Sequence, residues 1–97
     1  MTAELTATGY LHLGAALVEA YFPSRSLVAL VQGSELWLLP VAGRASGGLL
    51  LKQRNRAGDC SVLIWEILPP GTAHGLLEAR WDAEHGALCL RLLHGDE

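Results

Sequence analysis

Leu27-Val-Ala-Leu-Val-Gln-Gly-Ser-Glu-Leu-Trp-Leu-Leu39 is the stretch whose reading decides the fold. Two apolar runs, Leu27–Val31 and Leu36–Leu39, flank Gln32-Gly-Ser-Glu35. Gly33-Ser34 suits a two-residue type II′ turn, in which glycine supplies a positive φ at the first central position. That turn sets the register. Leu30 falls opposite Trp37 and Val28 opposite Leu39 on one face, while Val31 with Leu36 and Ala29 with Leu38 occupy the other. An antiparallel hairpin with one wet face alternates apolar and polar residues, and this one is apolar on both. The hairpin is therefore central in the fold or supplies an interface, with Val28, Leu30, Trp37 and Leu39 as the candidate interface residues.

Upstream, Leu5, Ala7, Gly9, Leu11 and Leu13 alternate with Glu4, Thr6, Thr8, Tyr10 and His12, the period-two signature of a half-exposed strand. The period then changes. Leu13, Leu17 and Tyr21, with Ala16 and Ala20, share a helical stripe, and Pro23 disfavours helix at Phe22. A helix of about two turns is expected over Ala15–Tyr21. It is too short to hold without packing.

Downstream, Val41–Gly48 reads as a flexible loop by its glycines and small residues. A second hairpin is expected to pair Leu49–Arg54 with Ser61–Leu68 around Asn55–Asp59. A third pairs Leu76–Trp81 with Ala87–Leu93 across Asp82–Gly86, with Leu88, Leu90 and Leu92 inward and Cys89 and Arg91 outward.

Composition sharpens the question of what this apolar material is for. The chain has 97 residues, 51% of them hydrophobic and only 18% charged, where a typical globular chain has about 25% charged. A chain of this length forms one domain, 1–97, with much surface and little interior. The apolar surplus must lie inside a sheet covered on both faces, or against another chain.

The net charge of −3 opposes nucleic-acid binding, which leaves a basic footprint. No apolar run reaches the roughly 18 residues of a membrane span. Residues 1–24 hold no Lys or Arg and carry Glu4 and Glu19, the reverse of a secretory signal. Cys60 and Cys89 form no CxxC pair. The expectation is two reduced thiols in a cytoplasmic protein. The strong preference for Arg over Lys is compatible with a bacterial, GC-rich source.

One charge feature stands out. Arg44, Lys52, Arg54 and Arg56 lie within thirteen residues that contain no acid. The remaining three bases then face all ten acids, a charge of −7 beside a patch of +4. If Leu49–Arg56 is extended, Lys52, Arg54 and Arg56 share a face. These four are the candidate anion-binding residues, with the Gly43–Gly48 loop offering backbone N–H groups. The bland alternative is a solvated hairpin end neutralised by Asp59, Glu66 or the acidic third hairpin. The loop is no Walker motif, because it lacks Gly-Lys-Ser/Thr and a strand follows it.

Other chemistry finds little footing. His12, His74, His85 and His94 show no ligand spacing, no Gly-x-Ser-x-Gly occurs, and Asp59 beside Cys60 opposes a thiolate there. Glu66 beside Trp65 would be a general acid only if buried. No catalytic residue, metal or cofactor is expected. Trp37, Trp65 and Trp81 fall on strands of different hairpins, where packing is the default role.

The expected architecture is α+β and strand-dominated: an antiparallel bent sheet or small open barrel built from three hairpins, with one short N-terminal helix. The expected function is a non-catalytic cytoplasmic protein-binding or assembly module, either an accessory subunit or a homo-oligomer. A small module binding phosphate or carboxylate through Lys52, Arg54 and Arg56 is second, and an enzyme with an unidentified site is third.

Overall fold

In the computed structural model, which describes residues 1–42 and 48–95, the chain is dominated by strands. They are β1 (Thr2–Leu5), β2 (Tyr10–Leu13), β3 (Ser26–Gln32), β4 (Glu35–Pro40), β5 (Leu49–Leu50), β6 (Lys52–Gln53), β7 (Cys60–Leu63), β8 (Thr72–Ala73), β9 (Gly75–Asp82), β10 (Ala87–Arg91) and β11 (Leu93–His94). The helix α1 spans Ala15–Tyr21, as the stripe and Pro23 predict. No helix among the described residues is long and apolar enough to cross a membrane.

Nine strands form one antiparallel sheet in the order β5-β3-β4-β10-β9-β1-β2-β7-β6, and β8 pairs with β11 apart from it. The two outermost strands are consecutive pieces of the same segment. β5 binds β3 through Ser26 and Leu27, β6 binds β7 through Cys60 and Ser61, and only Leu51 separates them. The sheet therefore curls until Leu49–Gln53 touches both of its ends. This is a barrel with an unsealed seam.

The register of the deciding hairpin is the one its turn dictates. Val28 lies opposite Leu39, Ala29 opposite Leu38, Leu30 opposite Trp37 and Val31 opposite Leu36. Gly33 has φ 61 and Ser34 is not left-handed, as a type II′ turn requires. The inward face is core: Leu27, Leu36 and Leu38 are fully buried, and Ala29 and Val31 pack against them. Leu88 and Leu90 continue this face on the neighbouring β10, paired with Leu38 and Leu36, and Leu11, Leu13 and Leu77 belong to the same core. Val18 and Phe22 carry α1 into the same core, and Tyr21 stacks on Trp81 with ring centres 4.4 Å apart.

Three expectations change in detail. The first segment is a hairpin of its own, β1 with β2, added to the three expected ones. Leu5 pairs with Leu11 and Glu4 with His12, so odd positions meet odd and the inward phase survives the turn. An unbroken alternation hid the reversal. Leu49–Arg54 stops being a strand at Gln53, and the chain turns back through hydrogen bonds from Arg54 N–H to Asp59 C=O and from Gly58 N–H to Asn55 C=O.

Finally, Ser61–Leu68 is strand only to Leu63, and Trp65–Ile67 makes a 3₁₀ turn. The Ile64 N–H is drawn to the Gly9 carbonyl at 3.0 Å, and Pro69 and Pro70 have no N–H to extend a ladder. Trp65 is thus not a strand residue, and it stands 62% exposed.

Candidate binding surface

The outer wall of the barrel begins where the β3–β4 hairpin turns its second face outward. Val28, Leu30, Trp37 and Leu39 all lie on this face, and the chain does not enclose it: Val28 is 41% exposed and the other three are half-buried. In β5, Leu50 pairs with Ser26. Its side chain therefore projects outward one step diagonally from Val28, within reach of a long side chain. Leu50 is 65% exposed.

The same wall continues across the seam. Tyr10 lies opposite Leu63, and both are exposed. A hollow of about 230 Å³ is lined by Tyr10, Leu49, Leu50, Lys52, Ser61, Val62 and Leu63. An apolar belt therefore runs from Trp37 through Leu39, Val28 and Leu50 to Leu63 and Tyr10. Sequence reading found its β3–β4 end and missed Leu50, Leu63 and Tyr10. Each stands in a strand with its own alternation, and only the barrel's closure makes them neighbours.

At one end of this belt the wall becomes cationic. Lys52 lies on β6 opposite Ser61. Arg54 follows in the turn, and Arg56 sits at its tip instead of on an extended strand. All three are exposed. Arg44 lies outside the described residues, as does most of the glycine loop.

The structure adds a cation that spacing did not reveal. Arg25 has φ 55, an uncommon left-handed backbone for a non-glycine residue. Its carbonyl accepts from the Leu51 N–H at 2.8 Å, and its guanidinium donates to Gln53 Oε1 at 3.0 Å. Asp59, the carboxylate of the same turn, is already engaged. It accepts from the Asn55 side chain at 2.9 Å and from the Ala15 N–H at 2.8 Å, and these bonds hold its carboxyl below the usual range. Glu66, the other proposed counter-charge, is exposed on the 3₁₀ turn.

A second cluster occupies the outer face of β4, β10 and β9. Arg80 donates to Glu35 Oε2 at 2.6 Å, and Trp37 Nε1 donates to Glu35 Oε1 at 3.2 Å. The Arg80 guanidinium, more than any other neighbour, holds the Glu35 carboxyl below its ordinary range. Beneath this pair, Cys89 points outward as expected yet is only 1% exposed, and burial pushes its thiol up. A thiol held protonated is a poor nucleophile, so Cys89 is not an activated thiol where it lines a hollow of about 220 Å³ with Glu35, Glu78, Arg80 and Arg91.

The histidines are scattered. His12 Nδ1 lies 3.4 Å from Glu4 Oε1 without hydrogen-bond geometry. His85 Nδ1 is 3.0 Å from Asp82 Oδ2. In that turn, ligand atoms of Asp82, Glu84 and His85 lie within 4.8 Å of one another. Asp82 Oδ1 is committed to the N–H groups of Glu84 and His85, so the triad reads as the turn's own bracing. Its compactness was not visible as a ligand spacing.

Comparison with family models, with curated proteins and with solved structures finds no match for this chain. The surface itself is the guide to function.

Proposed function

We propose that the barrel is a protein-binding module of the cytoplasm that docks a partner on the apolar belt of its outer wall. The observation carrying this reading is the open outer face of the β3–β4 hairpin. Val28, Leu30, Trp37 and Leu39 are displayed on the far side from a core already closed by Leu27, Leu36 and Leu38. Leu50, Leu63 and Tyr10 extend that face. Large aromatic and aliphatic side chains gathered on a sheet face suit the buried centre of a protein interface. Cys60 and Cys89 are both unpaired thiols, which suits a reducing compartment.

The test uses side chains that support no core. Val28→Ser combined with Leu50→Ser should leave the melting temperature unchanged. As bait in a lysate of the source organism, the wild type should retain a partner that the double variant loses. Identical retention by both would remove the belt from consideration. Light scattering of the purified wild type and variant distinguishes self-association from a different partner chain.

A further inference from the structure

The hollow at the seam and the basic turn are parts of one surface, and together they narrow what the partner offers. Leu50 and Leu63 provide apolar walls, with Tyr10 beside them and Lys52 on the rim. Arg54 and Arg56 follow Lys52 along the chain, and Arg25 is held to Gln53 beside them. Among the described residues, the ion pairs are Glu4 with His12, Glu35 with Arg80 and Asp82 with His85. Arg25, Lys52, Arg54 and Arg56 thus make no described salt bridge. Asp59, the carboxylate of this turn, is taken up by Asn55 and Ala15 and offsets only part of the charge, at Arg54.

Resting on the binding role assigned above, we propose that the partner docks an acidic segment here. Its apolar side chains fill the Tyr10–Leu50–Leu63 hollow, and its carboxylates meet Lys52, Arg54, Arg56 and Arg25. The charge arrangement favours a short acidic segment over a long polyanion. Outside residues 44–56 the chain carries −7, and an extended polyanion would run into that field. A segment a few residues long meets only the basic corner. Arginine suits this task, because its planar fork pairs with carboxylates in bidentate fashion. The apolar contacts would give most of the affinity, and the charges would set orientation and selectivity.

The experiment selects phage-displayed random peptides of about ten residues, the length of a long strand, on the immobilised protein. A synthetic copy of the selected peptide is then titrated by fluorescence anisotropy. Titrations use the wild type, the Lys52→Ser/Arg54→Ser/Arg56→Ser variant and the Leu50→Ser/Leu63→Ser variant, each first checked for an unchanged melting temperature. The expected peptides combine Asp or Glu with large apolar residues. Binding should weaken about tenfold in the charge variant. It should weaken also between about 0.1 and 1 M salt, where the screening length falls from about 10 to 3 Å.

The apolar variant should lose binding altogether. Apolar peptides without acidic bias, lost only in the Leu50/Leu63 variant, would overturn the acidic partner and leave the binding role standing. No enrichment, or binding that survives both variants, would overturn both. A single-stranded oligonucleotide that binds as well, insensitive to Leu50 and Leu63, would replace the acidic segment with a polyanion. A dimer of the protein alone that both variants dissolve would make a second copy the occupant.

Discussion

Gly9 and Gly33 both adopt positive φ, 89 and 61 respectively, but the space around them differs. A Cβ on Gly33 would meet nothing within 4 Å, whereas one on Gly9 would sit 2.5 Å from the Trp65 Cβ. Gly33→Ala should therefore carry only the left-handed backbone term, about 1–2 kcal/mol. Gly9→Ala adds overpacking of about 1–3 kcal/mol, a large part of a domain stability of about 5–15 kcal/mol. Urea unfolding of the two variants should give Gly9→Ala the clearly lower midpoint; equal midpoints would mean that Trp65 moves aside freely. The same contact explains why Trp65 misled sequence reading. Its neighbour Gly9 is 56 positions upstream, and nothing in Val-Leu-Ile-Trp signals that the ladder stops there.

At the scale of elements, α1 depends on a group far from it in sequence. Its N-cap, Gly14, has no side chain, and the Ala15 N–H is satisfied instead by Asp59 Oδ1. Asp59→Ala should lower the melting temperature by several degrees, the scale of losing one helix cap in a domain of this size. Asp59→Asn, which keeps an acceptor, should lower it less. Hydrogen bonds from Asn55 and Ala15 hold the Asp59 carboxyl below its ordinary value of 3.8. Its contribution is thus present above that pH and lost as pH falls through the lower folded value. The gap between wild type and Asp59→Ala in thermal melts should accordingly narrow in strong acid, where the protonated carboxyl keeps only a neutral acceptor, as Asp59→Asn does.

Elements with a local signature were legible in the sequence. Ala15–Tyr21 has its stripe and Pro23, and the two hairpins around Gly33 and Gly86 have their turn residues. Elements shaped by distant partners were not. The β1–β2 reversal kept its phase through the turn, and β5 and β6 are strands only because β3 and β7 accept them. The candidate surface divides in the same way. Val28, Leu30, Trp37 and Leu39 followed from one hairpin's register, while Leu50, Leu63, Tyr10 and Arg25 needed the barrel to close.

For the whole molecule, the core and the outer wall make different demands on the two thiols. Cys60 is enclosed within the core, and Cys89 lies under the Arg80–Glu35 pair on the outside, yet both are at most 1% exposed. Neither should react with a thiol reagent such as iodoacetamide under native conditions, and both should react in urea. Arg80→Ala, which uncovers the outer side alone, should speed labelling of Cys89 while Cys60 stays protected. Mass spectrometry of the labelled peptides reads the two sites separately. Equal labelling of both would mean that global unfolding, not the lid over Cys89, governs access.

The strand order also bears on how the protein is made. β1 has β2 as a local partner and β4 has β3, but the second edge of each is filled only by β9 and β10 from late in the chain. A ribosome that has released the first half of the chain has therefore produced hairpins whose inward faces have no opposite wall. Until Gly75–Arg91 emerges, the nascent chain holds its greasiest strands bare. Long-range pairings of this kind make for slow folding and exposure to aggregation. Shelter by a chaperone during synthesis would matter more to this small barrel than its finished size suggests.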